Sequence, residues 1–245
     1  MITKSQIKHI RSLDDKKNRN ECKQFVVEGD KMVKELLKSN FKVIEIFSKN
    51  DWAAQNLSKK KYPFKITEVD QNRFHQMSSL STAQDVLALV VLPNQPLTPH
   101  YKIAIALDNI QDPGNLGSII RIADWFGIDT ILCNVDTVDC FNPKVIRATM
   151  GSVFRVKCIY LNLQKYFSEN KTPKRYAAVL DGKPLESFSK IHEGIFFIGN
   201  ESNGLQEELI SLCDEKITIS KLGSAESLNA AVASGIICHS LIKIN

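Results

Sequence analysis

Three stretches of the chain put polar and glycine residues where an α/β protein can do chemistry with them. In DPGNLGSIIRIADWFG, residues 112–127, a turn feeds a helix whose apolar face is Leu116, Ile119, Ile120, Ala123 and Phe126. Arg121 points nearly opposite that face, so core packing does not require it. A planar guanidinium on an open helix face can hold a phosphate in its fork, and the N–H groups of the helix start can add to the grip on an anion. Asn115 is expected to cap this helix, and Gly117 permits another backbone to come close. A capped helix with a solvated arginine accounts for the same residues. Neither the P-loop pattern nor the G-x-G-x-x-G fingerprint of dinucleotide sites is present.

The second stretch, GIFFIGNESNGL at 194–205, runs a fully apolar strand into Gly199, Asn200, Glu201, Ser202, Asn203 and Gly204. Glycines at both ends leave the backbone open to a ligand, and Glu201 would stand at the mouth of the sheet, where a carboxylate can orient a hydroxyl or act as a base. An ordinary strand-to-helix turn is the alternative. The third, ITISKLGSAESLNAAVASGI at 217–236, is a strand, a Gly/Ser loop and then Ser227, Leu228 and Asn229 opening a helix of small residues. Ser227 is the expected N-cap. Ala230, Ala231, Ala233, Ser234 and Gly235 keep the helix slim, which suits close packing inside the subunit or across a dimer.

These stretches need strands and helices to carry them. From residue 101 onward KIAIALDN, DTILCNV, FRVKCIY, YAAVLDG, GIFFIGNE and EKITIS read as strands, with helices at NLGSIIRIADWFG, NPKVIRATMG, LQEELISLC and SLNAAVASGIICHSLI. That alternation predicts a mainly parallel sheet with helices on both faces, whose ligands sit at the carboxyl ends of the strands. Before it, SQIKHIRSLDDKKNRN reads as a basic amphipathic helix, FVVE, KVIEIFS, FKITEVD and DVLALVVL as strands, KMVKELLKSN and NRFHQMSSL as helices, and SKKKYP as a solvated loop. This is a small α/β sandwich. Between the two lies LPNQPLTPH, with prolines at three-residue spacing and no apolar period, so the expected organisation is a domain at 1–92, a linker at 93–100 and a domain at 101–245.

The totals agree with two domains in 245 residues. The charge is divided unevenly: residues 1–100 hold 17 Lys+Arg against 11 Asp+Glu, whereas 101–245 hold 15 against 16. A basic module beside a near-neutral one fits a grip on a polyanion, and it also fits a plain solvated surface. The longest apolar run, VLALVVLP, is too short to cross a bilayer, and the first residues lack a signal peptide's apolar stretch, so no membrane association and a cytoplasmic location are expected. Six cysteines without a C-x-x-C pair indicate neither a metal site nor a disulfide framework.

Together the three stretches resemble the motifs of the SpoU (TrmH) family of RNA ribose 2′-O-methyltransferases. The first is matched by Asn115, Gly117, Arg121, Ala123, Phe126 and Gly127, the second by Gly199, Glu201 and Gly204, and the third by Ile219, Gly223, Ser227, Leu228, Asn229 and Gly235. NPKVIRATMGSVFRV also looks like the family, with Arg147 and Gly151 in place. Residues 1–92 resemble, more loosely, the ribosomal-protein-like α/β domain that many members carry. Ser220 stands where proline is usual and Thr149 where serine is usual.

The resemblance implies a catalytic domain of the SPOUT type, its chain passing through a deep trefoil knot, and a homodimer. It implies S-adenosylmethionine as methyl donor, held largely by backbone around Gly199, Ile219 and Leu228. Arg121 would be the central catalytic residue, with Asn115, Glu201, Ser227 and Asn229 holding the geometry, and Arg121 and Arg147 would contact RNA. Ribosomal RNA is the preferred substrate by analogy with members that carry the extra domain. Transfer RNA, methylation of a base, and a noncatalytic RNA-binding role are the alternatives.

Overall fold

The computed structural model describes residues 2–57, 62–80, 83–97, 101–170, 173–200 and 202–243. Glu201, the lysines of the expected solvated loop at 59–61 and the linker positions 98–100 lie outside these. The chain forms two compact units, 1–94 with 141–154, and 95–140 with 155–245.

The first unit starts with two helices where one was expected. Helix α1 (Lys4–Ser12) ends at Leu13, and α2 (Lys16–Cys22) begins afresh because the Asp15 carboxylate accepts from the N–H groups of Lys17 and Asn18. There follow β1 (Gln24–Glu28), α3 (Asp30–Leu37), β2 (Val43–Ser48), α4 (Asn50–Asn56), β3 (Lys65–Glu68), α5 (Gln71–Met77) and β4 (Val86–Val91). The sheet order is β1-β4-β2-β3, antiparallel except for β2 with β3. Residues 141–154 complete this unit: the Phe141 ring centroid lies 4.7 Å from that of Phe25, and Phe154 lies 5.3 Å from Phe41. Aromatic rings at both ends thus tie this segment to β1 and to the chain after α3.

The second unit is a six-stranded sheet in the order β10-β8-β9-β5-β6-β7, and every pairing is parallel. Its elements are β5 (Ile103–Leu107), α6 (Pro113–Trp125), β6 (Thr130–Asn134), β7 (Lys157–Leu161), α8 (Leu163–Glu169), β8 (Arg175–Pro184), β9 (Gly194–Ile198), α9 (Glu207–Ile210), β10 (Glu215–Thr218) and α10 (Ala230–Leu241); α7 (Pro143–Thr149) belongs to the first unit. All five residues of β9 are buried, as in a central strand covered on both faces. Helix α8 was not expected from the sequence. Asn162 caps it, and Leu163 and Phe167, four apart, bury its inner face.

Strand β8 is interrupted where β10 joins it. Lys216 pairs with Ala177, but the next residue, Ile217, pairs with Lys183. A Cβ on Gly182 would lie 2.5 Å from the Ile217 carbonyl carbon, so the return of β8 onto its partner depends on a residue without a side chain. Among the described residues no helix is long and apolar enough to cross a membrane.

Candidate functional site

Of the polar groups singled out in the second unit, Asn115 and Asn229 meet at the starts of α6 and α10, Asn200 follows β9, which pairs with β5, and Arg121 lies further along α6. Helix α6 is capped by Asp112, not by Asn115: the Asp112 carboxylate accepts from the Asn115 N–H at 2.8 Å, and Pro113 occupies the first turn, where its missing N–H costs nothing. The helix start therefore already holds an anion, the chain's own. Freed from capping, the Asn115 side chain reaches across to α10, where its Oδ1 accepts from Asn229 Nδ2 at 2.8 Å.

Asn229 also corrects the expected start of α10. It is the N-cap, its Oδ1 accepting from the N–H groups of Ala231 and Val232 at 3.0 and 3.3 Å, while Ser227 stands two residues before it and is exposed. One asparagine thus caps the helix with its oxygen and joins the first and third motifs with its nitrogen. The slim face of α10 lies against α6, and a Cβ on Gly235 would sit 3.6 Å from Ile122. That distance is ordinary van der Waals contact.

Arg121 is exposed on α6 and makes no hydrogen bond or ion pair with another described residue. Two neighbours in the unit show what a structural arginine looks like. Arg155 forms a two-pronged pair with Asp124 at 2.8–3.1 Å. Arg175 is buried over the Phe167 ring and donates to the carbonyls of Leu212 and Asn170. Arg147 is exposed on α7 and belongs to the first unit.

After β9 the chain doubles back tightly. Gly204 N–H donates to the Asn200 carbonyl at 3.0 Å, and Asn200 Oδ1 accepts from the N–H groups of Ser202 and Asn203. A Cβ on Gly199 would lie 2.1 Å from Gly204 carbonyl carbon and 2.2 Å from Leu205 nitrogen, and Gly204 itself has φ +67°. Both glycines are required by backbone geometry. The third-motif loop is the opposite case. Ile219 is half-buried, but residues 220–229 are all exposed, Leu222 and Leu228 among them. Within the described residues, no backbone hydrogen bond is formed by the N–H groups of 221–228.

The two departures from the family pattern both have a structural account. Ser220 donates to Glu186 Oε2 at 3.0 Å, tying down the loop's first residues. Buried Thr149 donates to the Ile146 carbonyl at 2.6 Å and accepts from Gly151 N–H, closing the end of α7.

Sequence reasoning gave no role to Asp108, which ends the first strand of the 101–245 domain, or to Asp112 in the turn after it. The signal for Asp108 was available: a carboxylate directly after the buried IAIAL strand. Four of the cysteines are held as thiols. Burial pushes the Cys140 thiol well up, burial carries Cys213 and Cys238 to about 12, and hydrogen bonding to Cys133 together with burial raises Cys158. Among the described residues no group of three or more His, Cys, Asp or Glu is placed to hold a metal ion.

Comparison with known proteins gives the family. Residues 102–239 match the SpoU rRNA Methylase family. The chain belongs to that family. Residues 4–88 match the MRM3-like substrate binding domain. A SpoU-family relative in Bacillus subtilis, the 23S rRNA (guanosine(2553)-2′-O)-methyltransferase RlmP, is 32% identical over 96% of this chain and 95% of its own. A TrmH-family structure from Porphyromonas gingivalis superposes with TM-score 0.90 at 31% identity, covering 99% of this chain and 98% of that one. An rRNA methyltransferase from Sinorhizobium meliloti, solved with AdoMet bound, has TM-score 0.85 at 29% identity over 98% and 95% of the two chains. The parallel six-stranded sheet is that of the SPOUT methyltransferases.

Proposed function

We propose that this SpoU-family chain transfers a methyl group from S-adenosylmethionine to a ribose 2′-hydroxyl of ribosomal RNA. The observation that carries the reading is the Asn229–Asn115 hydrogen bond, which joins the third motif to the first on the helix that presents an uncommitted Arg121. The RlmP relative, alike over nearly the whole chain, supports ribosomal RNA as the substrate.

The residues present fit the methyl donor. Gly199 and Gly204 keep the backbone after β9 free of side chains, and the exposed N–H and C=O groups of 221–228 are available to a nucleoside; Gly199, Ile219 and Leu228 are the proposed contacts. When bound, S-adenosylmethionine supplies an electrophilic methyl on a sulfonium. The protein's own part is to bring a ribose hydroxyl to it and to favour the oxygen's developing negative charge. Arg121 does this by gripping the adjacent phosphate and the incipient alkoxide, since a guanidinium donates hydrogen bonds and does not give up its proton. Asn115 and Asn229 fix the start of α6, while Ser227 and Glu201 complete the proposed catalytic set, Glu201 taking the hydroxyl's proton as the methyl is transferred and the sulfonium leaves as a neutral thioether. A site closed to water favours the step, because charge is neutralised as it proceeds.

The functional division follows the sequence: residues 1–92, whose basic excess suits phosphate contacts, bind the substrate RNA, 93–100 link, and 101–245 catalyse, with Arg147 as a further RNA contact. The knot is part of the same reading, supported by the likeness to the TrmH-family and rRNA methyltransferase structures. So is a homodimer, supported by exposed Trp125 on α6, Leu222 and Leu228 in the loop and Val232 on α10, an apolar set that a second copy would cover.

The test is methyl transfer from labelled S-adenosylmethionine to ribosomal RNA, with digestion to nuclease-resistant 2′-O-methyl dinucleotides. Arg121→Ala is expected to lower the rate about 100-fold or more while leaving donor binding by calorimetry and the melting temperature unchanged. Label on a base, label only in transfer RNA, or full activity of Arg121→Ala would overturn the reading.

A further inference from the structure

We infer that Asp108 is a positioning residue that clamps both ends of the 199–205 loop, and so sets the shape in which that loop meets the methyl donor. The inference rests on the reading of this loop given above.

Asp108 follows β5 and is 1% exposed. Its backbone N–H donates to the Ile198 carbonyl at 2.9 Å, immediately before Gly199. Its side chain takes hold of the other end, where Oδ2 accepts from Gln206 N–H at 3.0 Å and Oδ1 from Gln206 Nε2 at 3.2 Å. Oδ1 also accepts from Asn134 Nδ2 at 2.9 Å, at the end of β6. One residue therefore fixes where the chain leaves β9 and where it enters α9, and braces both against β6.

A buried carboxylate is costly unless its oxygens are satisfied, and here every donor is an amide N–H with no cation among the described residues. The charge is needed because all three partners are donors. An asparagine at 108 sets its own NH2 against the amides of Gln206 and Asn134; Gln206 can turn over to meet it, but Asn134 is held the other way by the Val135 N–H on its Oδ1 at 3.1 Å, so one contact is lost whichever way the amides settle. The amide at 134 and the carboxylate at 108 form a complementary pair that can be exchanged. With the two side chains swapped, the amide now at position 108 still accepts from Gln206 N–H through its oxygen. Its nitrogen donates to the carboxylate now at position 134, and Gln206 turns its own amide over.

The full-length protein is tested as wild type, Asp108→Asn, Asp108→Asn with Asn134→Asp, and Gln206→Ala, by calorimetry with S-adenosylmethionine, steady-state kinetics and hydrogen exchange of the 199–206 peptide. Asp108→Asn is expected to weaken donor binding at least 10-fold and raise KM for the donor in step, to leave kcat at saturating donor within 3-fold, and to speed exchange in 199–206. The double variant is expected to recover affinity to within 3-fold, which a general loss of stability would not do. Gln206→Ala, an exposed position that keeps its backbone N–H, is expected to lose 2- to 5-fold and serves where Asp108→Asn does not fold. Wild-type affinity in Asp108→Asn or Gln206→Ala, or no recovery in a folded double variant, overturns the clamp. If the wild type binds no S-adenosylmethionine, the functional reading fails, and exchange in 199–206 alone then decides the clamp.

Discussion

The carboxyl ends of β9 and β10 carry the second and third motifs, and they are built in opposite ways. After β9 the chain is pinned by its own backbone: Gly199 lies against Gly204 and Leu205, Asn200 collects three N–H groups, and Asp108 holds the loop's exit. After β10 the chain runs through exposed residues to Asn229, with only Ser220 tied by a side chain at its start. The first region is shaped before any ligand arrives. The second has backbone groups and apolar side chains to offer, which under the proposed function are taken up by the donor and a second subunit. Pre-forming one wall lowers the ordering cost of binding, and leaving the other open gives substrates a way in.

Glycine substitutions test the contrast most severely. Gly199→Ala places a Cβ 2.1 Å from backbone, so the doubled-back chain must open; a loss of about 3 kcal/mol in urea unfolding is expected, with donor binding abolished. Gly223→Ala meets nothing within 4 Å and should leave unfolding unchanged. Equal costs at the two positions would dissolve the distinction between a pinned and an open wall.

Asn229 stands where the open loop becomes a fixed helix, and its two roles can be separated. Asn229→Ala loses cap and bridge together and should cost about 1 kcal/mol, as N-cap removals do. Asn229→Asp, paired with Asn115→Asp so that neither side chain can donate, keeps the capping oxygen, adds charge that suits a helix N-terminus, and removes the bridge. It should therefore keep its stability and lose methyl transfer. Full transfer by the paired variant would show that the bridge has no bearing on the reaction.

What could be read from the sequence, and what could not, follows the range of the interactions. The buried GIFFI strand, the exposed Arg121 and the six strands of the parallel sheet were legible because burial and periodicity are written in neighbouring residues. Both helix starts in the site were placed a few residues off. Asp112 and Asn115, or Ser227 and Asn229, are all competent caps, and only the folded chain decides which oxygen reaches the free N–H groups. The break at Asp15 was hidden by an apolar stripe continuing to Leu13. The packing of segment 141–154 against Phe25 and Phe41 was not legible, because these partners lie more than a hundred residues earlier and local pattern carries no record of such contacts. The clamp at Asp108 is of the same kind, its partners being 26 and 98 positions away.

The smallest effect is expected at the edge that launches the open loop. Glu215 begins β10 and bridges Lys183 at 2.9 Å and Lys174 at 3.2 Å, so the two ends of the interrupted β8 are held to its partner strand by charge as well as by Gly182. Hydrogen bonds from Lys183 and Lys174 hold the Glu215 carboxyl below its ordinary 4.5, and the Glu215 bond holds Lys174 above its ordinary 10.5. A lowered carboxylate contributes stability above pH 4.5 that is lost as pH falls through the folded value. A raised lysine contributes below pH 10.5 and loses it as pH rises through its own. The bridge is thus intact across neutral pH and fails at both extremes. All three groups face solvent, so salt should weaken it. Urea unfolding of Glu215→Gln should fall slightly below the wild type at pH 7, approach it as pH is lowered below 4.5, and approach it again at pH 7 in high salt, with donor binding unchanged throughout. A change in donor affinity would mean that the shape of the open wall is already set at β10, and the contrast with the β9 side would then be one of degree.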